Sequence, residues 1–226
     1  MLKYSKDNRV AFDPTYHTYT LDGTKRLKGV TGLISKYKNP FDADGISKAM
    51  AKKSGLPPQF YLDLWAAKGK ASRELGTKCH SIFEDFITHD KLELTYQHPK
   101  ELQAKLFIND YFLSGKLKPV GCEEIIYNDN VASMIDTPVM STKNEYFILD
   151  YKTNEEIKTT GYKGAMMLPP FQNYCDADFF HYSIQTSIYR RLYHEHPIKD
   201  CFIVHLLENE YKLLKCIDIK ECELII

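Results

Sequence analysis

The segment Phe147-Ile148-Leu149-Asp150-Tyr151-Lys152-Thr153 constrains this chain more than any other. Its β-branched and aromatic residues favour a strand, and on a strand alternate side chains share a face. Phe147, Leu149 and Tyr151 therefore point one way, while Ile148, Asp150 and Lys152 point the other. A carboxylate and an ammonium thus stand side by side at the end of an otherwise apolar strand. Burying such charges is costly unless they are matched or given a task.

Asp136 lies on the strand expected just before, over residues 131–140, and residues 141–144 form the turn between them. Folding back about that turn brings Asp136 and Asp150 to neighbouring strands on one face. Two carboxylates held close repel each other, and a divalent cation relieves the repulsion. Oxygen donors with open positions suit magnesium or manganese better than zinc. His80 and Glu84 are four residues apart in a helical stretch and share a face. His80 can complete a metal shell there, with Glu84 as a further ligand or its support. Gln185 and Tyr189 have the same spacing and run into Arg190 and Arg191, a grouping that suits phosphate or base contacts. Lys68, Lys70, Arg73 and Lys78 gather ahead of His80. Each of these has a plainer alternative: a core histidine, a simple ion pair, helix packing, a solvated basic face.

The remaining pattern sets the frame for these residues. Residues 10–20 alternate loosely into Asp22-Gly23, a hairpin turn, with residues 25–30 as the return strand. Residues 41–53 read as a helix stopped by Gly55 and Pro57-Pro58. Residues 60–87 keep helical spacing but contain Gly69 and Gly76, giving one helix or two. A helix over 101–112 precedes strands at 120–127, 131–140 and 145–153, an antiparallel meander. Residues 155–176 hold glycines and prolines and read as partly mobile. A helix over 178–195 and strands at 201–207 and 212–219 complete the chain. The order predicts an α/β fold with a mixed central sheet flanked by helices. It suits a single domain over residues 1–226, with 1–60 as an N-terminal hairpin and helix extension.

Composition excludes rather than selects. The 226 residues are 43% hydrophobic and 27% charged, an ordinary globular balance. Thirty basic and thirty acidic side chains cancel, so a nucleic-acid surface has to come from local clustering. Six cysteines show no C-x-x-C pair, which argues against structural zinc and ordinary iron–sulfur spacing. The polar residues 1–9 and the lack of a long apolar run predict a cytoplasmic protein with reduced thiols and no membrane partner.

Four segments occur in a telling order: Gly76-Thr77-Lys78-Cys79-His80, Asp136, Asp150-Tyr151-Lys152 and Gln185-x-x-x-Tyr189. Together they resemble the PD-(D/E)xK nuclease superfamily in its RecB-like and Cas4-like branch. His17-x-Tyr19-x-Leu21-Asp22-Gly23 followed by Val30-Thr31 is similar to phage-encoded exonucleases of that branch. The resemblance spans residues 10–195. Ile135 stands where the superfamily's name has proline, and the cysteine cluster of Cas4-like members is not reproduced.

The resemblance implies a restriction-endonuclease-like core and a magnesium- or manganese-dependent deoxyribonuclease. The expected activity is that of an exonuclease in phage recombination, replication or DNA processing. DNA is the implied partner, with a recombination or replication protein beside it, in the host cytoplasm for a phage-encoded chain. By the same resemblance, Asp136, Asp150, the Tyr151 carbonyl and His80 bind one or two ions, with Glu84 as a further candidate. Lys152 orients or helps deprotonate the attacking water and stabilises the transition state. Gln185, Tyr189, Arg190, Lys78 and Arg73 contact DNA. Two alternatives stand against this reading: a non-cleaving DNA-binding module of the same fold, and a zinc hydrolase. The intact Asp136, Asp150 and Lys152 count against the first, and the lack of an H-E-x-x-H pair counts against the second.

Overall fold

A computed structural model of the chain describes residues 2–93 and 95–226. The fold is mixed α/β, with two sheets that each combine parallel and antiparallel neighbours. The first contains β1 (Lys3–Tyr4), β2 (Val10–Asp13), β3 (Thr18–Leu21), β4 (Lys25–Gly29), β6 (Glu124–Tyr127) and β7 (Val131–Ile135), in the order β1-β2-β3-β4-β7-β6. The second contains β5 (Leu117–Pro119), β8 (Thr137–Ser141), β9 (Tyr146–Lys152), β10 (Ile198–Leu206) and β11 (Tyr211–Lys215), in the order β11-β10-β9-β8-β5.

The helices are α1 (Val30–Ile34), α2 (Ala43–Ser54), α3 (Pro58–His89), α4 (Pro99–Phe107) and α5 (Asp178–Leu192). A π-helical turn over Ile108–Leu113 follows α4. No helix among the described residues is long and apolar enough to cross a membrane.

β9 is covered on both faces, as its nearly unbroken apolar run requires. Leu149 and Tyr151 pack with Cys79 and Phe83 of α3 and Phe107 of α4. Ile148 packs on the opposite face with Ile184 and Ile188 of α5. The strand alternation read from the sequence therefore holds, and the second sheet lies between α3/α4 and α5. Phe83 and Tyr151 stack with ring centroids 3.6 Å apart, which fixes the middle of α3 against β9. That anchorage explains why α3 runs as one helix of 32 residues through Gly69 and Gly76. Each glycine costs about 1 kcal/mol against alanine in a helix interior. Pro58 sits at the start, where its missing N–H is harmless, and Asp90 closes the end in the left-handed region.

One sequence expectation needs correction. The strand expected over 131–140 is two strands: β7 pairs with β4 and β6, whereas β8 pairs with β9 and β5. The expected meander is thus split between two sheets, and Asp136 is the single residue between β7 and β8. Strands that pass from one sheet to another turn at such bends. Ile135 and Thr137, on either side, are fully buried, so the bend is clamped by packing on both sides.

A second point concerns residues 155–176, expected as a partly mobile segment, which is anchored to the core at several places. Met167 and Phe171 are core residues there, Met166 bridges Cys175, and Asp176 accepts from the Asn39 backbone N–H at 2.6 Å. The N-terminal hairpins likewise join the first sheet through the parallel β4–β7 pairing. All six cysteines are free thiols.

Candidate metal centre

The Asp136 bend opens a cleft of about 530 Å³ between the two sheets. Asp136 and Asp150 both line it, together with His80, Glu84, Glu123, Lys152, Gln185 and Tyr189. Against expectation, Asp136 is not itself a strand residue, although the Thr137–Leu149 pairing carried one step further sets it opposite Asp150. Asp150 belongs to β9, while Asp136 has left the ladder and turns its carboxylate back onto the backbone of β9. The Tyr151 N–H donates to Asp136 Oδ2 at 2.8 Å, which fixes where that carboxylate stands.

His80 reaches the same point from α3. Its Nε2–H donates to the Tyr151 carbonyl at 3.1 Å, which sets the tautomer. Nδ1 then faces two carboxylates, Asp136 at 3.6 Å and Glu123 at 3.7 Å. Burial works against a charged imidazole here, but Asp136 and Glu123 outweigh it and raise the His80 pKa to about 9. One ligand atom each from His80, Glu123 and Asp136 lies within 4.8 Å of the others. The donors come from α3, from the loop before β6 and from the β7–β8 bend.

Glu123 was not foreseen. It lies in a residue 120–127 stretch read as one continuous strand, but only Glu124–Tyr127 pairs in the structure. Glu123 itself adopts a left-handed φ of 50°, and its N–H donates to the Asp136 carbonyl at 2.9 Å. Glu124 pairs with Ile135, so continuing that register sets Glu123 opposite Asp136. The strand spacing carried this information, although the adjacent pair Glu123-Glu124 hides which carboxylate faces the cleft.

Asp150 lies deeper, only 1% exposed, with Lys152 Nζ 2.6 Å from its Oδ2. That close ion pair with Lys152 is what offsets the buried charge on Oδ2. Burial pushes the Asp150 carboxyl above its usual range, Lys152 pulls it back, and the Asp136 charge adds to the rise. For Lys152 burial opposes the charge, yet Asp150 and Asp136 prevail and hold its pKa above the ordinary value. The ammonium also sits 4.9 Å from the centre of the Tyr182 ring.

The other expected residues divide between the cleft and elsewhere. Gln185 Nε2 lies 3.5 Å from Asp150 Oδ1 and donates to the Tyr189 hydroxyl. Tyr189 is 2% exposed, with Ser133 Oγ 3.3 Å from its hydroxyl, and the pair braces Asp150 from α5. Glu84 stands at the cleft edge, 3.3 Å from Lys3, outside the His80–Glu123–Asp136 group. The Tyr151 carbonyl, expected as a metal ligand, accepts from the His80 Nε2–H.

Arg190, Lys78 and Arg73 do not line the cleft. Arg190 Nε donates to the Ile198 carbonyl at 3.1 Å and its guanidinium pairs with Asp218 at 3.2 Å, which removes it from solvent duty. Lys78 Nζ donates to Gln97 Oε1 at 3.0 Å, and Arg73 is exposed elsewhere on α3.

The donor set fits a hard divalent cation. One imidazole nitrogen and two carboxylates converge, and the His80 Nε2–H bond to a carbonyl is the outer support that histidine ligands use. The buried Asp150 carboxylate, paired with Lys152, lines the same cleft. No protein-family model and no curated protein matches this chain. Thirteen chains of solved structures do match. Among them is the crystal structure of SSO0001, 12% identical with a TM-score of 0.38, covering 89% of this chain and 72% of that one. A likeness at that level carries no argument about function.

Proposed function

We propose that this chain is a metal-dependent deoxyribonuclease of the PD-(D/E)xK kind, hydrolysing phosphodiester bonds in DNA with magnesium or manganese. The restriction-endonuclease-like core and the RecB-like resemblance belong to this same proposal. One observation carries it: the His80–Glu123–Asp136 donor triad stands in the same cleft as the Asp150–Lys152 pair.

His80, Glu123 and Asp136 would hold the ion, with Asp150 closing the group from below. When bound, it would supply Lewis-acid stabilisation of phosphate charge and lower the pKa of a water molecule. The chain's own residues account for the rest. The Tyr151 N–H and carbonyl hold Asp136 and His80 in place, so both donors are set by the backbone of β9. Lys152, kept charged by its carboxylate neighbours, suits stabilising negative charge on a phosphate better than accepting a proton. Gln185 and Tyr189 keep Asp150 oriented.

The test uses end-labelled single- and double-stranded DNA with magnesium, manganese, zinc or EDTA. Cutting that needs magnesium or manganese and disappears in Asp136→Asn and Asp150→Asn supports the reading. Binding without cutting under every metal, or cutting that survives both substitutions, overturns it.

A further inference from the structure

Beside the cleft lies a second groove of about 340 Å³, and the two share His17, Gly29 and Gly32 among their walls. Its other walls include Arg26 and Lys28 of β4 and Lys36, which follows α1. All three cations are exposed, and none makes an ion pair among the described residues. No acidic residue lines the groove.

Several basic residues elsewhere in this chain of zero net charge do find acids. Lys6 meets Glu124 and Glu195, Arg9 meets Asp22, and Lys48 meets Asp44. Arg26 and Lys28 flank the buried Leu27, so they share the outer face of β4 at about 6.7 Å spacing along the strand. The chain here offers a row of unmatched cations opening directly into the candidate metal centre. Large apolar or aromatic platforms are missing from its exposed walls: Leu27 and Leu33 are buried, and His17 leans on Phe12.

A row of point charges without stacking surfaces recognises a polyanionic backbone and not its bases. We propose that the Arg26–Lys28–Lys36 groove is a binding track for the phosphodiester backbone of nucleic acid, guiding the strand into or out of the cleft without reading sequence. The proposal rests on the cleft acting on nucleic acid, but binding along the track requires neither metal nor cleavage. It also relocates the DNA-contacting cations from Arg190, Lys78 and Arg73 to the N-terminal hairpin lobe.

The experiment measures equilibrium binding of 20-nucleotide single- and double-stranded DNA in EDTA across a salt series. The native chain is compared with the R26A/K28A/K36A variant and with a control lacking three other exposed cations, K52A/K118A/K143A. Loss of the track should weaken binding by roughly tenfold or more at low salt. It should also flatten the slope of log affinity against log salt by about 0.7 to 0.9 for each phosphate no longer neutralised. The control should bind as the native chain does. Should the triple variant unfold, as its melting temperature would reveal, each single substitution still reads one increment of slope.

Equal slopes in all three proteins overturn the track, and so does a native chain that binds no DNA. Competition by polyglutamate as effective as by DNA also overturns it, pointing to acidic protein partners instead. A native chain that binds through the track yet never cleaves would leave the inference standing while removing the nuclease reading.

Discussion

Around Asp218, near the C-terminal end of the fold, each charge has its answer. Arg191 and Arg190 approach the carboxylate at 2.8 and 3.2 Å, Lys220 approaches at 2.7 Å, and Arg191 also reaches Glu223 at 3.2 Å. Burial would raise the Asp218 pKa, but Lys220 and the two arginines lower it to about 2. Around Asp136 the same residue types stand in the opposite condition. Three carboxylates crowd one histidine and one lysine, and the most buried of them, Asp150, has Lys152 as its one cation. A matched network holds the chain's end in place, whereas a surplus of negative charge in a cleft is held there at a cost to stability and suits a cation brought from outside.

Under the proposed nuclease reading, the contrast is sharpest for catalysis. Asp136→Asn and Asp150→Asn should each lower the DNA cleavage rate by about 1,000-fold or more, the scale of removing a central electrostatic stabiliser. Asp218→Asn should cut at the native rate, and an equal loss there would erase the distinction between the two clusters. Next in size is the metal requirement. Glu123→Gln should raise the magnesium concentration for half-maximal cleavage by about 10- to 100-fold. Glu84→Gln should change it by no more than about twofold, because that carboxylate already faces Lys3 and lies outside the donor group. The reverse ranking would restore Glu84 as the ligand.

Stability should run the other way. Asp218→Ala removes a carboxylate shared by Arg190, Arg191 and Lys220, while Arg191 keeps Glu223 and Arg190 keeps the Ile198 carbonyl, and should cost about 1 kcal/mol in urea unfolding. An unchanged midpoint would mean that the cluster is ornamental.

The smallest effects are those of pH, and their signs differ between the regions. Without metal, His80 titrates near 9 when folded and near 6.5 when unfolded, because Asp136 and Glu123 favour its charged form over the opposing burial. Its contribution is complete below pH 6.5 and is lost as pH rises toward 9. Asp218 goes from 3.8 unfolded to about 2 folded, so its contribution is complete above pH 3.8 and is lost as pH falls toward 2. Thermal melts of Asp136→Asn should therefore be flatter than native between pH 6.5 and 9, by a few degrees, while acid melts stay alike. Parallel curves at the alkaline end would count against the Asp136–His80 coupling.

Much of the site could be read before the fold. Alternation in Phe147–Thr153 correctly separates Asp150 and Lys152 from Leu149 and Tyr151, because side-chain period two is local and rigid. His80 faces the strand ends because the core residues Cys79 and Phe83 fix which way α3 turns. Non-local facts were harder. An eleven-residue run of strand-forming sequence gives no sign that it changes sheets at Asp136, since the sheet it joins is decided by distant partners. Arg190 looks like a free cation in sequence because the Ile198 carbonyl and Asp218 that capture it lie beyond its own helix. Glu123 escaped notice because its role follows from strand register and a left-handed backbone, not from residue type.

Residues 131–141 form a continuous span that is stitched into one sheet before the bend and into the other after it. Rocking of the hairpin lobe against the β8–β9 side would bend the chain at the residue whose carboxylate is clipped to the Tyr151 amide, and at residues 120–123 that lead from β5 to β6. The width of the groove and the spacing of the donors are thereby coupled. Under the proposed reading, a strand pressing the lobe open would tug on an oxygen of the candidate donor group, so grip on a polymer and grip on a cation should rise and fall together.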